Sequence, residues 1–123
     1  MTIVGVGGVS NIVEEVVYKL YEEEEINIDI VFPQLFSPLN LFPIHNSIKV
    51  THKLLVIEEG TEGHNFGSQI ISEISREIRG DYRVIFDQIS TPKVAIPSSK
   101  FLEEQIIPDA KMIYQKCLEL FYE

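Results

Sequence analysis

The sequence predicts a parallel α/β fold, and three features carry that prediction. Apolar runs of strand length alternate with amphipathic stretches at helical spacing, the order that βαβ units require. Leu54, Leu55, Val56 and Ile57 form an unbroken apolar run between Lys53 and Glu58-Glu59, as in a strand buried on both faces at the middle of a parallel sheet. Behind it Ile70, Ile71, Ile74 and Ile78 recur at helical spacing.

Taken in order, Thr2 to Val6 is a short apolar strand, and Gly5-Val6-Gly7-Gly8-Val9-Ser10 follows as a glycine-rich turn. Asn11 to Glu24 is a helix with Ile12, Val13, Val16, Val17, Leu20 and Tyr21 on one stripe, and Asn11 with Glu14 makes a capping-box pattern at its start. It ends in Glu22 to Glu25, the unfavourable sign for a helix C-terminus and therefore a solvated end. Ile26, Ile28, Ile30 and Phe32 alternate with Asn27, Asp29 and Val31, which predicts a half-exposed strand near the sheet edge. Pro33 to Pro43 is a proline-punctuated connection carrying Leu35, Phe36, Leu39, Leu41 and Phe42, and a short helix is expected over Pro43 to Val50. After the isoleucine helix, Gly80-Asp81 is a stop and turn, and Arg83 to Asp87 is a shorter fourth strand. Gln88 to Ser99 is expected as a long loop and Phe101 to Ile107 as a helical turn. Pro108 is expected in the first turn of a last helix carrying Ala110, Ile113, Tyr114, Cys117, Leu118 and Phe121.

The continuous apolar runs belong in the centre of the sheet and the more polar strands outside. With right-handed crossovers the simplest order is second, first, third, fourth strand. The winding then reverses between the first and third strands, which brings the Gly7-Gly8 turn close to the expected loop from Glu59-Gly60 onward. Ligands meet open α/β sheets at such ends. Glu58, Glu59, Gly60, His64 and Asn65 are therefore the candidate functional edge.

Length and composition exclude several function classes. At 123 residues the chain is one domain by length, long enough to bury roughly two thirds of its unfolded surface. No apolar run approaches the roughly 20 residues of a membrane span, and the N-terminus lacks the basic start of a secretory signal. The single cysteine, Cys117, has no internal disulfide partner, so a reducing, cytoplasmic setting is expected. A formal charge of −9 argues against nucleic-acid binding and allows a basic protein partner, although it also simply keeps a domain soluble.

Each chemical motif has a plainer reading beside it. The glycine turn invites a dinucleotide site, but Ser10 stands at the third glycine position and Phe32-Pro33 where a ribose-binding acid belongs. A tight strand-to-helix turn is the simpler account. His45, His52 and His64 have no zinc spacing with one another or with the lone cysteine. Cys117 lies on an apolar helical stripe, where a core role outweighs a nucleophilic one.

A family resemblance adds a function. TIVGVGGVSNIVEEVVYKL, IDIVFPQLFSPLN, KLLVIEEGTEGHNFGSQIISEI and IPSSKFLEEQIIPDAKMI, in this order, resemble the C-terminal domain of the transketolase superfamily. The likeness is strongest to the beta subunit of thiamine-diphosphate-dependent 2-oxo acid dehydrogenases of the pyruvate or branched-chain type. Pro97, Leu102-Glu103 and Pro108 favour that branch. The resemblance implies a three-layer α/β/α domain with a mostly parallel four- to five-stranded sheet, spanning residues 1–123 and forming part of a longer chain. The family's extra antiparallel edge strand would precede Thr2 and lie outside this sequence.

The resemblance further implies a non-catalytic assembly domain that binds no cofactor itself, with thiamine diphosphate and Mg held by other domains of the parent enzyme. Its partners would be the other dehydrogenase subunits and the basic subunit-binding domain of the acyltransferase, with Glu103, Glu104, Asp109, Glu119 and Glu123 as candidate docking acids. A homodimer through the last helix and the bared sheet edge is a further expectation, and a stand-alone small-ligand or nucleotide-binding module is the alternative. His64-Asn65 stand where the family usually has a glycine pair, Ser68-Gln69 where it commonly has Ala-Glu, and Ala95 replaces one proline of a paired-proline loop.

Overall fold

A strand loses solvent at every residue only when other strands flank both its edges and helices cover both its faces. β1 (Thr2–Val6) is buried at all five positions and is such a strand. The computed structural model describes residues 1–34, 38–61, 66–91 and 109–123. In it β1 lies between β2 (Asp29–Val31) and β3 (Lys53–Thr61), and β3 pairs with β4 (Ile85–Thr91). All pairings are parallel, in the order β2-β1-β3-β4 that right-handed crossovers predict.

Side-chain alternation along β1 and β3 divides the core in two. Ile3, Leu55 and Ile57 face α1 (Ser10–Glu24) and α4 (Ala110–Phe121), which bury Val13, Val16, Leu20, Ile113, Cys117 and Leu120 against them. Val4, Val6, Leu54 and Val56 face the other way, onto Ile44 and Ile48 of α2 (Phe42–Thr51) and Ile70, Ile74 and Ile78 of α3 (Phe66–Ile78). The result is the three-layer α/β/α arrangement, with helices running back from the C-terminal edge of the sheet to its N-terminal edge.

Several boundaries differ from the sequence expectation. β2 is only three residues long, because its one neighbour begins at Thr2, which pairs with Asp29. Beyond Val31, Phe32 packs over β1 where a Cβ on Gly5 would come within 2.6 Å of its ring, and Pro33 has no N–H to donate. The alternation still holds in three dimensions: Ile26, Ile28, Ile30 and Phe32 all join the α1/α4 core, and Val31 the opposite one. β3 does not end at Ile57. It continues through Glu58, Glu59 and Gly60 to Thr61, since β1 pairs with Glu58 and β4 reaches Thr61 after a register shift. β4 likewise runs to Thr91, so Gln88 to Thr91 are strand rather than loop; an edge strand tolerates their polarity because one side stays open.

The helix starts also move. α1 begins at Ser10 with Val9 as its cap residue and no side-chain cap, which leaves Asn11 inside the first turn and the expected capping box unformed. Tyr21 stands 57% exposed rather than on the buried stripe. α1 ends at Glu25 in the left-handed region, closed by the Ile26 N–H donating to the Leu20 carbonyl at 3.3 Å. α4 starts at Ala110 behind Asp109, after the expected first-turn proline, and Leu120 joins its buried stripe. The helical turn expected over 101–107 and the loop over 92–99 lie outside the described residues.

Candidate functional site

The C-terminal edge of the sheet is where β3 delivers two successive glutamates, one to each face. Glu58 shares the side of Leu54 and Val56, and is only 7% exposed. Its carboxylate accepts the Gly67 N–H at 2.7 Å and the Phe66 N–H at 3.3 Å. Those amides open α3 and have no partner within the helix, and the negative charge also complements the positive end of its dipole. Such proximity demands a residue without a side chain. A Cβ on Gly67 would lie 2.8 Å from Val56 Cγ1, 2.8 Å from Gln88 Nε2 and 3.2 Å from the Glu58 carboxylate.

Glu59 projects from the other side of β3. Its carboxylate oxygens lie 3.6 and 3.7 Å from where a Gly8 Cβ would sit, directly over the turn that leads into α1. The approach of Gly8 to Glu59 thus occurs as the strand order predicts, although Glu59 and Gly60 belong to the strand and not to a loop. Gly60 contributes backbone here, and His64 and Asn65 lie outside the described residues. At both helix starts on this edge, the place that an anionic ligand would take is met by a carboxylate of β3.

The candidate docking acids fall along α4. Asp109 is its N-cap, accepting the Met112 N–H at 2.8 Å. Glu119 lies 3.4 Å from Lys116, which also reaches Asp87 of β4 at 3.3 Å. Asp87 chiefly, with Glu119 adding to it, raises the Lys116 ammonium above its ordinary range. Glu123 is exposed, and its backbone carbonyl accepts from Lys53 Nζ at 3.3 Å. Glu103 and Glu104 lie outside the described residues. Cys117 is in the core, where burial pushes its thiol up to about 12 and keeps it protonated.

Three features escaped the sequence reading, because each joins residues distant along the chain. Lys53, at the start of β3, donates to the Phe121 carbonyl, and its ammonium lies 5.6 Å from the centroid of the Phe121 ring, so it caps the C-terminal end of α4. Thr2 is fully buried with its hydroxyl 2.7 Å from Thr51 and 2.6 Å from Ser47, whose own hydroxyl donates to Asp29 at 2.7 Å. His45 and His52 flank Tyr82, with ring centroids 6.3 and 5.7 Å away. A buried threonine at the head of an apolar strand was the one local signal available.

Comparison with known proteins gives a consistent result. Residues 1–113 match the family described as the transketolase C-terminal domain. The beta subunit of acetoin:2,6-dichlorophenolindophenol oxidoreductase from Cupriavidus necator is 26% identical over 91 residues, 74% of this chain and 27% of that protein. The mitochondrial pyruvate dehydrogenase E1 component subunit beta of Pisum sativum is 25% identical over 95 residues, 77% of this chain and 26% of that protein. The pyruvate dehydrogenase E1 component subunit beta of Acholeplasma laidlawii is 31% identical over 77 residues, 63% of this chain and 23% of that protein. The aligned part is thus about a quarter of the length of these relatives. Among solved structures, a split gene transketolase described as an inactive beta4 tetramer superposes with a TM-score of 0.81 at 20% identity, covering 98% of this chain and 39% of that one. That last likeness establishes the fold.

Proposed function

This chain belongs to the transketolase C-terminal domain family, and from that premise we propose that it is the assembly domain of a 2-oxo acid dehydrogenase beta subunit. In this role it braces subunit association, helps to dock the basic subunit-binding domain of the acyltransferase, and leaves the chemistry to other domains in the cytoplasm. The observation that carries the reading is the family match over residues 1–113 together with relatives named as beta subunits. The net charge of −9 and the exposed acids Glu119 and Glu123 on the α4 side suit a basic partner.

The proposal leaves thiamine diphosphate and Mg to other domains. Glu58 and Glu59 stand at the helix starts where a pyrophosphate would otherwise find free amides, and their charge opposes it. Titration calorimetry of the chain with thiamine diphosphate and Mg should give no binding heat; a micromolar site overturns the assignment. Surface plasmon resonance against the isolated subunit-binding domain should show salt-dependent binding that E119Q/E123Q weakens.

The stand-alone ligand module draws on the Gly7-Gly8 turn, and a nucleotide or 2-oxo acid that raises the melting temperature would favour it. Self-association draws on Tyr18 and Tyr21, 64% and 57% exposed beside the β2 edge. Light scattering over a concentration series tests it, and a strict monomer removes it.

A further inference from the structure

We propose that the cleft between α2 and α3 is a binding site for the phosphate group of a small anion. The chain has 19 acids against 10 lysines and arginines, yet its only arginines, Arg76, Arg79 and Arg83, fall within one short stretch. Two of them, Arg76 in the last turn of α3 and Arg79 one residue past its end, stand at the same end of that helix. Together with His45 of α2, Glu73 and Glu77 they line a cleft of about 680 Å³.

What separates this cleft from an ordinary charged surface is which groups are engaged. Glu73 accepts a hydrogen bond from Gln69 at 3.0 Å, and Glu77 lies 3.8 Å from His45 Nδ1. Among the described residues neither guanidinium has an ion-pair or hydrogen-bond partner. Behind them His45 Nε2 and the Tyr82 hydroxyl are both shut off from solvent without a partner. Buried polar atoms almost always have one, so these two call for a ligand or an ordered water. The two guanidinium forks are the donors that the cleft offers to a ligand. Planar guanidinium groups bind phosphate in pairs of hydrogen bonds, and one phosphate has oxygens enough for both forks. A carboxylate's two oxygens are taken up by one fork.

The test is an NMR titration of the whole chain with inorganic phosphate, glycerol phosphate and acetate at fixed pH and ionic strength, following the arginine side-chain N–H and histidine ring signals. Saturable shifts at Arg76, Arg79 and His45 with a dissociation constant in the millimolar range or below are expected for both phosphates, and little change for acetate. Tighter binding of glycerol phosphate identifies an ester as the ligand; tighter binding of inorganic phosphate identifies the free anion. R76Q/R79Q should weaken binding at least tenfold, while R83Q, outside the lining, should not. Both arginines are exposed at the end of α3, and the melting temperature of the double variant checks that it folds. Non-saturating shifts spread over Lys19 and Lys111, or an equal response to acetate, overturn the proposal even if the variant fails to fold.

Discussion

The two edges of the sheet use charge in opposite ways. At the C-terminal edge, β3 places Glu58 in the amides that start α3 and Glu59 over the turn that starts α1, while Asp109 caps α4. At the N-terminal edge the partners are cations and hydroxyls: Lys53 holds the last carbonyls of α4, and Thr2 bridges Thr51 and Ser47 of α2. Parallel strands with returning helices force this polarity, because every helix then starts at one edge and ends at the other. α1 departs from the pattern with four glutamates at its C-terminal end. There Tyr18 donates to Glu22, and Tyr114 of α4 donates to Glu23, both at 2.8 Å. The carboxylate of Glu23 drives the Tyr114 phenol up to about 12. Acids that look functional on a sheet edge can therefore be structural, their charge already spent on the backbone.

The C-terminal edge should prove the more costly to disturb. Replacing Glu58 by Ala removes the acceptor of the buried Gly67 amide and of the part-buried Phe66 amide, and urea denaturation should show a loss of about 2–3 kcal/mol. Glu58→Gln keeps an acceptor and loses the charge, so a cost of about 1 kcal/mol is expected, and an equal loss in both variants would show that charge is irrelevant there. Gly67→Ala comes next, at about 1–2 kcal/mol: the helical gain from alanine is outweighed by the contact with Val56. No loss at all would mean that α3 can lift from β3 freely.

The N-terminal edge should respond less. Thr2→Val breaks the hydroxyl chain to Ser47 and Thr51 while preserving shape, for about 1 kcal/mol by thermal or chemical denaturation. Lys53→Met should cost about 0.5–1 kcal/mol at low salt and less at high salt, since its site is only half-buried. A Lys53 effect larger than that of Glu58 would reverse the ranking of the two edges.

Much of the fold was legible because it rests on patterns a few residues long. The Leu54–Ile57 run marked the central strand, and Ile26, Ile28, Ile30 and Phe32 kept their common side even where the strand shortened to Asp29–Val31. Strand lengths were less legible. Whether Glu58 to Thr61 or Gln88 to Thr91 continue as strand depends on a neighbour far along the chain that supplies the hydrogen bonds. The candidate edge lies at the C-terminal end of β3, in strand rather than in a loop as far as Thr61. Glu58 and Glu59 are there, but Glu58 is turned inward as a helix cap, and nothing in the local sequence distinguishes a buried glutamate after a strand from an exposed one.

By itself the sequence determined the alternation of strands and helices, the two-sided burial of β1 and β3, and the strand order. Periodicity and the handedness of crossovers are properties of the chain that hold before it packs. Only the tertiary structure decided which charges remain available. A carboxylate or guanidinium is spent or left over according to the backbone ends that come within 3 Å or so of it, and helix ends meet strand ends only after the sheet has closed. For that reason Glu58 and Lys53 became parts of the scaffold, while Arg76 and Arg79 stayed exposed at the end of α3.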